Sequence, residues 1–393
     1  MAGLIRERRP RGRIGVVGLE TQTAGEFSGF VPARFWSGLT DNLTGRETAA
    51  ISWTFNEMML PKSDEEITLV RWWAASTAEA VCQAMLEAVA PGVPETEIYA
   101  AVLATLARHG CGVRYPTLIL DSGCPSLAWG PPRWTTTAEP VRRIGARDLV
   151  MAEIFPAFGN AEAQVQVSVA VGKPEAAVAQ CAAVARASYE AGLSVLRAGI
   201  TFRELVHAME RPLREPGCWA LTPLVHSLNP QAFLGFTEVN AQDAVPVSTL
   251  PGPPPRNLPQ LMGSDSILPA GATLALEPNA CIGRTRVVSG RTVIVPEKGY
   301  EETNSLPCRM RTTYAPPRQP RRARQHRGRC HAIATRRRQR PPPRSPFAPA
   351  SCASCASCAS CPTIIVRWLT NTLNPTLIPP VSGRRNTTWP RAW

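Results

Sequence analysis

Four residues recur in this chain at one spacing. Gly92, Glu97, Ala101 and Gly110 return as Gly199, Glu204, Ala208 and Gly217, each 107 positions later. Further on, Glu153 and Gly159 return as Glu277 and Gly283, each 124 positions later. Both glutamates follow apolar, strand-like runs, 149–152 and 273–276. A chain built from two similar units folds as a pair of halves that share a core. The two glutamates then occupy equivalent places facing a common cleft.

Helical patterning flanks these units. Ser63-Asp64-Glu65-Glu66 has the form of a capping box, in which a serine oxygen and a glutamate carboxylate satisfy the first backbone N–H groups of a helix. Apolar residues follow at Ile67, Val70, Ala74, Ala78, Val81, Met85 and Val89, in the steps of three and four that mark one helix face, until Pro91-Gly92 stops it. Val178, Ala182, Ala185, Tyr189, Leu193 and Leu196 predict a second such helix ending near Gly199.

Composition divides the 393 residues into three parts: 1–60, 61–307 and 308–393. The last part holds 17 arginines and neither a lysine nor an acid. Removing those charges from the net +13 leaves about −4 for residues 1–307, so this part shows no basic face for nucleic acid. Residues 308–393 carry four Ala-Ser-Cys copies between Ala350 and Cys361. They read as an Arg/Pro-rich, low-complexity disordered tail or as out-of-frame translation of a GC-rich gene. Such a tail binds nucleic acid only nonspecifically. Its repeated Cys-x-x-Cys lacks the turn chemistry of a zinc knuckle. The basic N-terminus has no apolar run of signal-peptide length, and no stretch is long and apolar enough to span a membrane. Seven irregularly spaced cysteines in 1–308 read as free thiols in a reducing compartment, so a cytoplasmic location is expected.

Residues 61–307 resemble the pita-bread metallopeptidase family, which includes Xaa-Pro aminopeptidases, prolidases, methionine aminopeptidases and creatinases. The resemblance is carried, in the family's order, by Lys62 to Ile67, Pro91-Gly92 with Glu97, Val171 to Pro174, Pro269-Ala270-Gly271, Leu276-Glu277-Pro278, and Thr292 to Val295 with Gly299. It implies an α+β fold, with two pseudo-symmetric α/β halves around a curved antiparallel sheet. Residues 1–60 then read as the remnant of a creatinase-type N-terminal domain and its connector. A homodimer is also implied.

The resemblance further implies a cleft in which two Asp, one His and two Glu hold two metal ions. At those places this chain has Glu153, Gln164, His226, Glu277 and Gly290. Glu153 keeps a carboxylate on a longer stem, Gln164 offers a neutral amide oxygen, and Gly290 offers no side chain. The two bridging ligands of the family are the ones lost. Divalent ions want anionic oxygen and imidazole, so the set still permits a single ion (Mn, Co, Zn or Fe) on Glu153, His226 and Glu277. The family's substrate-side histidine is replaced by Trp129, whose indole is no acid or base near neutral pH. Trp129 either stacks on a ligand or fills apolar space.

Three functions follow. The first is an Xaa-Pro aminopeptidase/creatinase-like protein with an eroded two-metal site, weak or absent peptidase activity, and a cleft that binds a small peptide or amide. The second is a metal-free or single-metal hydrolase of a non-peptide C–N bond, with His226 as the proton carrier. The third is nucleic-acid association through the arginine-rich tail.

Overall fold

The computed structural model describes residues 1–8, 11–19, 31–43, 45–111, 118–123, 130–159, 161–214, 217–221, 223–229, 265–306 and 308–313. Trp129 and nearly all of the Arg/Pro-rich tail lie outside the described residues.

Near the N-terminus, the strands Ile14–Val16 and Thr48–Ala50 form a small parallel pair. The predicted capping box then opens helix α1 (Asp64–Leu69). Glu66 N–H donates to Ser63 Oγ at 3.3 Å, and Ser63 N–H donates to Glu66 Oε2 at 2.9 Å. The helical run does not continue evenly to Val89. A π-helical turn at Val70–Ala74 interrupts it before α2 (Ala75–Ala88). Helix α3 (Glu95–Arg108) follows.

Strands β1 (Leu118–Ser122), β2 (Leu149–Ile154) and β3 (Val165–Val171) pair antiparallel in that order. Helices α2 and α3 cover one face of these strands. Val81, Met85, Ile98, Val102 and Leu106 pack there against Leu118, Leu120, Val150, Ala152, Val165, Val167 and Val169. Side chains alternate across a strand, so Glu153, Gln164, Gln166 and Ser168 face away from this helical layer.

The second unit repeats the plan. Helices α4 (Ala176–Val195) and α5 (Phe202–Glu210) pack on β4 (Cys218–Leu221), β6 (Ala272–Leu276), β7 (Asn279–Ile282), β8 (Thr285–Val288) and β9 (Gly290–Val295). Strand β5 (Val225–Ser227) lies beside β6. The sequence repeat is a structural repeat. Gly92 and Gly199 share left-handed φ angles of 82° and 88°, Gly110 and Gly217 share 73° and 80°, and Gly159 and Gly283 share 60° and 56°. Glu97 and Glu204 both stand third in their helices, α3 and α5. Glu204 closes a second capping box with Thr201.

Among the described residues the main sheet has eight strands. Six run in the order β1-β2-β3-β9-β6-β5, with β10 (Glu301–Glu302) on β9 and β11 (Arg311–Thr313) on β3. All pairs are antiparallel except β11 with β3. The α+β class and the two halves around an antiparallel sheet agree with the resemblance. Strand β9 meets β3 in only two register pairs, Gly290 with Gln166 and Arg291 with Val165, and there the two halves join. Beyond that point β3 takes β11 as its neighbour. Arg291 pins the junction. Its guanidinium donates to the carbonyls of Asn304, at 2.8 Å, and Leu306, and it lies 3.3 Å from Glu302. Among the described residues, no helix is long and apolar enough to cross a membrane.

The capping box gives a local test. Ser63→Ala should lower unfolding stability by about 1 kcal/mol, the usual value of an N-cap oxygen. Urea denaturation measures it, and an unchanged midpoint would contradict the role assigned to Ser63.

Candidate functional site

The polar faces of β2, β3, β6 and β5 converge at the junction. Glu153 sits one residue before the end of β2, opposite Gln166 of β3. Gln164 immediately precedes β3, and Glu277 immediately follows β6. His226 is central in β5, opposite Ala275 of β6. All are buried: Glu153 is 2% exposed, Gln164 1%, His226 2% and Glu277 4%. Polar groups this deep must find hydrogen-bond partners within the protein.

Those partners form a chain. Glu277 Oε1 lies 3.3 Å from His226 Nε2. Glu277 Oε2 accepts a 2.8 Å hydrogen bond from Gln166 Nε2. The same Nε2 donates to Gln164 Oε1 at 3.2 Å, and Gln164 Nε2 donates to Glu162 Oε1 at 2.8 Å. Thr292 of β9 holds the backbone of Gln164, its Oγ1 accepting from Gln164 N–H at 2.6 Å. His226 Nδ1 lies 2.9 Å from the Ser227 carbonyl oxygen. An imidazole with an acceptor at each nitrogen is best satisfied when both nitrogens carry protons.

The electrostatics agree. Burial alone would lower the His226 pKa. The Glu277 carboxylate, by charge and by hydrogen bond, outweighs it, with help from the Ser227 carbonyl and Glu162, and the pKa is pushed up to about 9. Protonated His226 and Glu277 therefore form a buried ion pair. An imidazolium cannot ligate a metal, so an ion here must displace a proton.

Gly290 fixes the spacing. A Cβ at this position would lie 2.3 Å from the Leu276 carbonyl oxygen, 2.7 Å from Gln166 Oε1 and 2.7 Å from Glu277 Cα. Two of these three neighbours are backbone, so no side chain fits unless the strands separate. The space bordering Gln166 and Gly290, also lined by Cys82 and Arg291, is about 20 Å3, room for about one water. Among the described residues, no three His, Cys, Asp or Glu side chains are gathered so as to hold a metal ion.

The structure thus brings His226 and Glu277 together and links Glu277 to Gln164 through Gln166. Glu153 lies one strand further on, across β3. Trp129 lies outside the described residues. Two site residues are absent from the set marked by sequence, Glu162 and Gln166. Their signal is the alternation Glu162, Gln164, Gln166, Ser168, a polar face on a strand whose other residues from 161 to 169 are Ala or Val.

The model of metallopeptidase family M24 matches residues 73–297. X-Pro aminopeptidase from Thermotoga maritima MSB8 is 20% identical over 72% of this chain and 72% of that one, with a TM-score of 0.57. Prolidase from Pyrococcus furiosus is 17% identical over 75% and 76%, with a TM-score of 0.57. Xaa-Pro dipeptidase from Bacillus anthracis is 19% identical over 79% and 77%, with a TM-score of 0.59. At these identities the likeness is one of fold. Comparison with curated proteins gives no match.

Two outcomes test the site geometry. Gly290→Ala should destabilise the chain by about 3 kcal/mol, the upper part of the overpacking range, because its neighbours are backbone; a loss within the noise of a chemical melt would mean that the strands part easily. The His226 pKa also fixes a sign. It is raised from 6.5 to about 9 on folding, so its stabilisation is fully present below about pH 6.5 and is lost as pH rises through about 9. The stability advantage of wild type over His226→Gln should therefore shrink between about pH 6 and pH 10. A constant difference over that range would contradict the buried ion pair.

Proposed function

The chain belongs to metallopeptidase family M24, and from that premise we propose an Xaa-Pro-peptidase-like protein whose two-metal centre is lost. Peptidase activity is weak or absent, and the cleft binds a small peptide or amide ligand. One observation carries this reading: both carboxylate oxygens of Glu277 are committed inside the protein, one facing His226 and one to the Gln166 amide.

A bound pair of divalent ions supplies hydroxide from water near neutral pH. The donor set fits such a pair poorly. Gln164 is a neutral amide whose two ends are both hydrogen-bonded. Gly290 has no side chain and no room for one. His226 faces protein oxygens at both ring nitrogens. A single ion on Glu153, His226 and Glu277 would have to displace the His226–Glu277 contact. Trp129 serves either as a stacking surface for a ligand or as a filler of apolar space, and the protein is assigned as a homodimer.

Hydrolysis of a non-peptide C–N bond by His226 ranks second. A general base needs a free lone pair within reach of the proton it takes, and both nitrogens of His226 already face protein oxygens. Association with nucleic acid ranks third, because it rests on the tail, and residues 1–307 carry a net charge of about −4 once the tail's 17 arginines are set aside.

Full-length protein reconstituted with Mn, Co, Zn or Fe should cleave an Xaa-Pro dipeptide slowly or not at all. Turnover near the common enzyme value of about 10 per second, with two ions per chain by elemental analysis, would contradict the proposal.

A further inference from the structure

We propose that the carboxamide of Gln166 stands in for a cation at the floor of this site, an inference that rests on the reading of a lost metal centre. Its Nε2 donates to Glu277 Oε2 at 2.8 Å and to Gln164 Oε1 at 3.2 Å. Both recipients are acceptor oxygens. A hard cation satisfies such oxygens by coordination, and an NH2 group satisfies them by donation. The amide has two N–H bonds and spends both on these two oxygens. The positions that would otherwise share an ion are therefore joined through a neutral side chain.

The orientation of this amide follows from the chemistry around it. Turned over, Oε1 would face the Glu277 carboxylate and the Gln164 carbonyl, an acceptor against two acceptors. With the NH2 group inward, Oε1 points toward Gly290, where it accepts no hydrogen bond from the described residues. The side chain is held by its donor end, and Gln166 is 4% exposed. Gly290 is its complement. A Cβ at Gly290 would stand 2.7 Å from Gln166 Oε1, so the glutamine and a side chain at position 290 exclude each other. The neighbouring links lock the arrangement from both ends, with Gln164 tied to Glu162 and Glu277 facing His226.

The consequence is that the Glu277 and Gln164 oxygens are joined without an ion and that the metal blindness of the cluster is set at position 166. Gln166→Glu keeps the shape of the side chain while replacing its two N–H donors with oxygen. The Glu277 and Gln164 oxygens then lose their donor, a second carboxylate faces the first, and the cluster becomes a set of cation ligands. The test uses the full chain with MnCl2 as the only probe, read by thermal melting and by ions bound per chain. Wild type should show no bound ion and an unchanged melting temperature up to millimolar Mn2+. Gln166→Glu should bind one ion per chain and melt several degrees higher with Mn2+ than without it.

Saturable Mn2+ uptake by wild type would overturn the inference, as would a folded Gln166→Glu protein that ignores Mn2+. Should Gln166→Glu fail to fold, Gln166→Ser also removes the amide without adding charge, and the same two results decide. Cleavage of an Xaa-Pro dipeptide, measured on the same samples, separates this inference from the functional reading. Rapid wild-type cleavage with no ion bound would contradict the functional reading and leave the role of Gln166 standing. Ion uptake by wild type without cleavage would do the reverse.

Discussion

The contact on which the rest of the structure depends is the meeting of Gly290 and Gln166. Here the last strand of the second half reaches the last strand of the first, through two register pairs alone. The Leu276 carbonyl and the Glu277 backbone come so close to Gly290 that only a hydrogen fits on its α-carbon. This approach lets one amide span from Gln164 to Glu277. Arg291, next in sequence, ties the junction to the carbonyls of Asn304 and Leu306. Disturbing the junction would therefore move sheet, site and C-terminal segment together.

The site is closed by hydrogen bonds in a water-poor interior, where each unmet donor or acceptor is costly. That favours hydrogen-bonded runs, and His226–Glu277–Gln166–Gln164–Glu162 is such a run, with Gln166 Oε1 as its one acceptor left without a partner among the described residues. The ion pair at its head accounts for the raised pKa of His226. The neutral amides at its centre carry the connection where charge would otherwise need a counter-ion. The network sits at the junction of two halves whose fold resembles that of Xaa-Pro peptidase structures.

Much of the fold was legible in the sequence because its signals are local or repeated. The capping box at Ser63 and Glu66 is a four-residue pattern with its own hydrogen bonds, and it formed as read. The glycines at 92 and 199 recur because each half needs a left-handed residue at the same turn. The π-helical turn at Val70–Ala74 was not legible, because apolar spacing there continues without a break. In the site, the closeness of His226 and Glu277 followed from the resemblance, which aligned both with ligands of one centre. Gln166 did not, because it occupies no ligand position. Its role comes from β3 and β9 meeting across more than 120 residues of sequence, a distance over which single-chain patterns say nothing. The polar alternation from Glu162 to Ser168 was visible, but without the register it reads only as one face of a strand.

A crystal structure of the full chain grown in Mn2+, with data collected at the manganese absorption edge, tests the central claim most directly. The account predicts no anomalous peak among Glu153, His226 and Glu277, and Gln166 Nε2 within hydrogen-bond distance of Glu277. An anomalous peak on those ligands, with the Gln166 amide swung away, would contradict it.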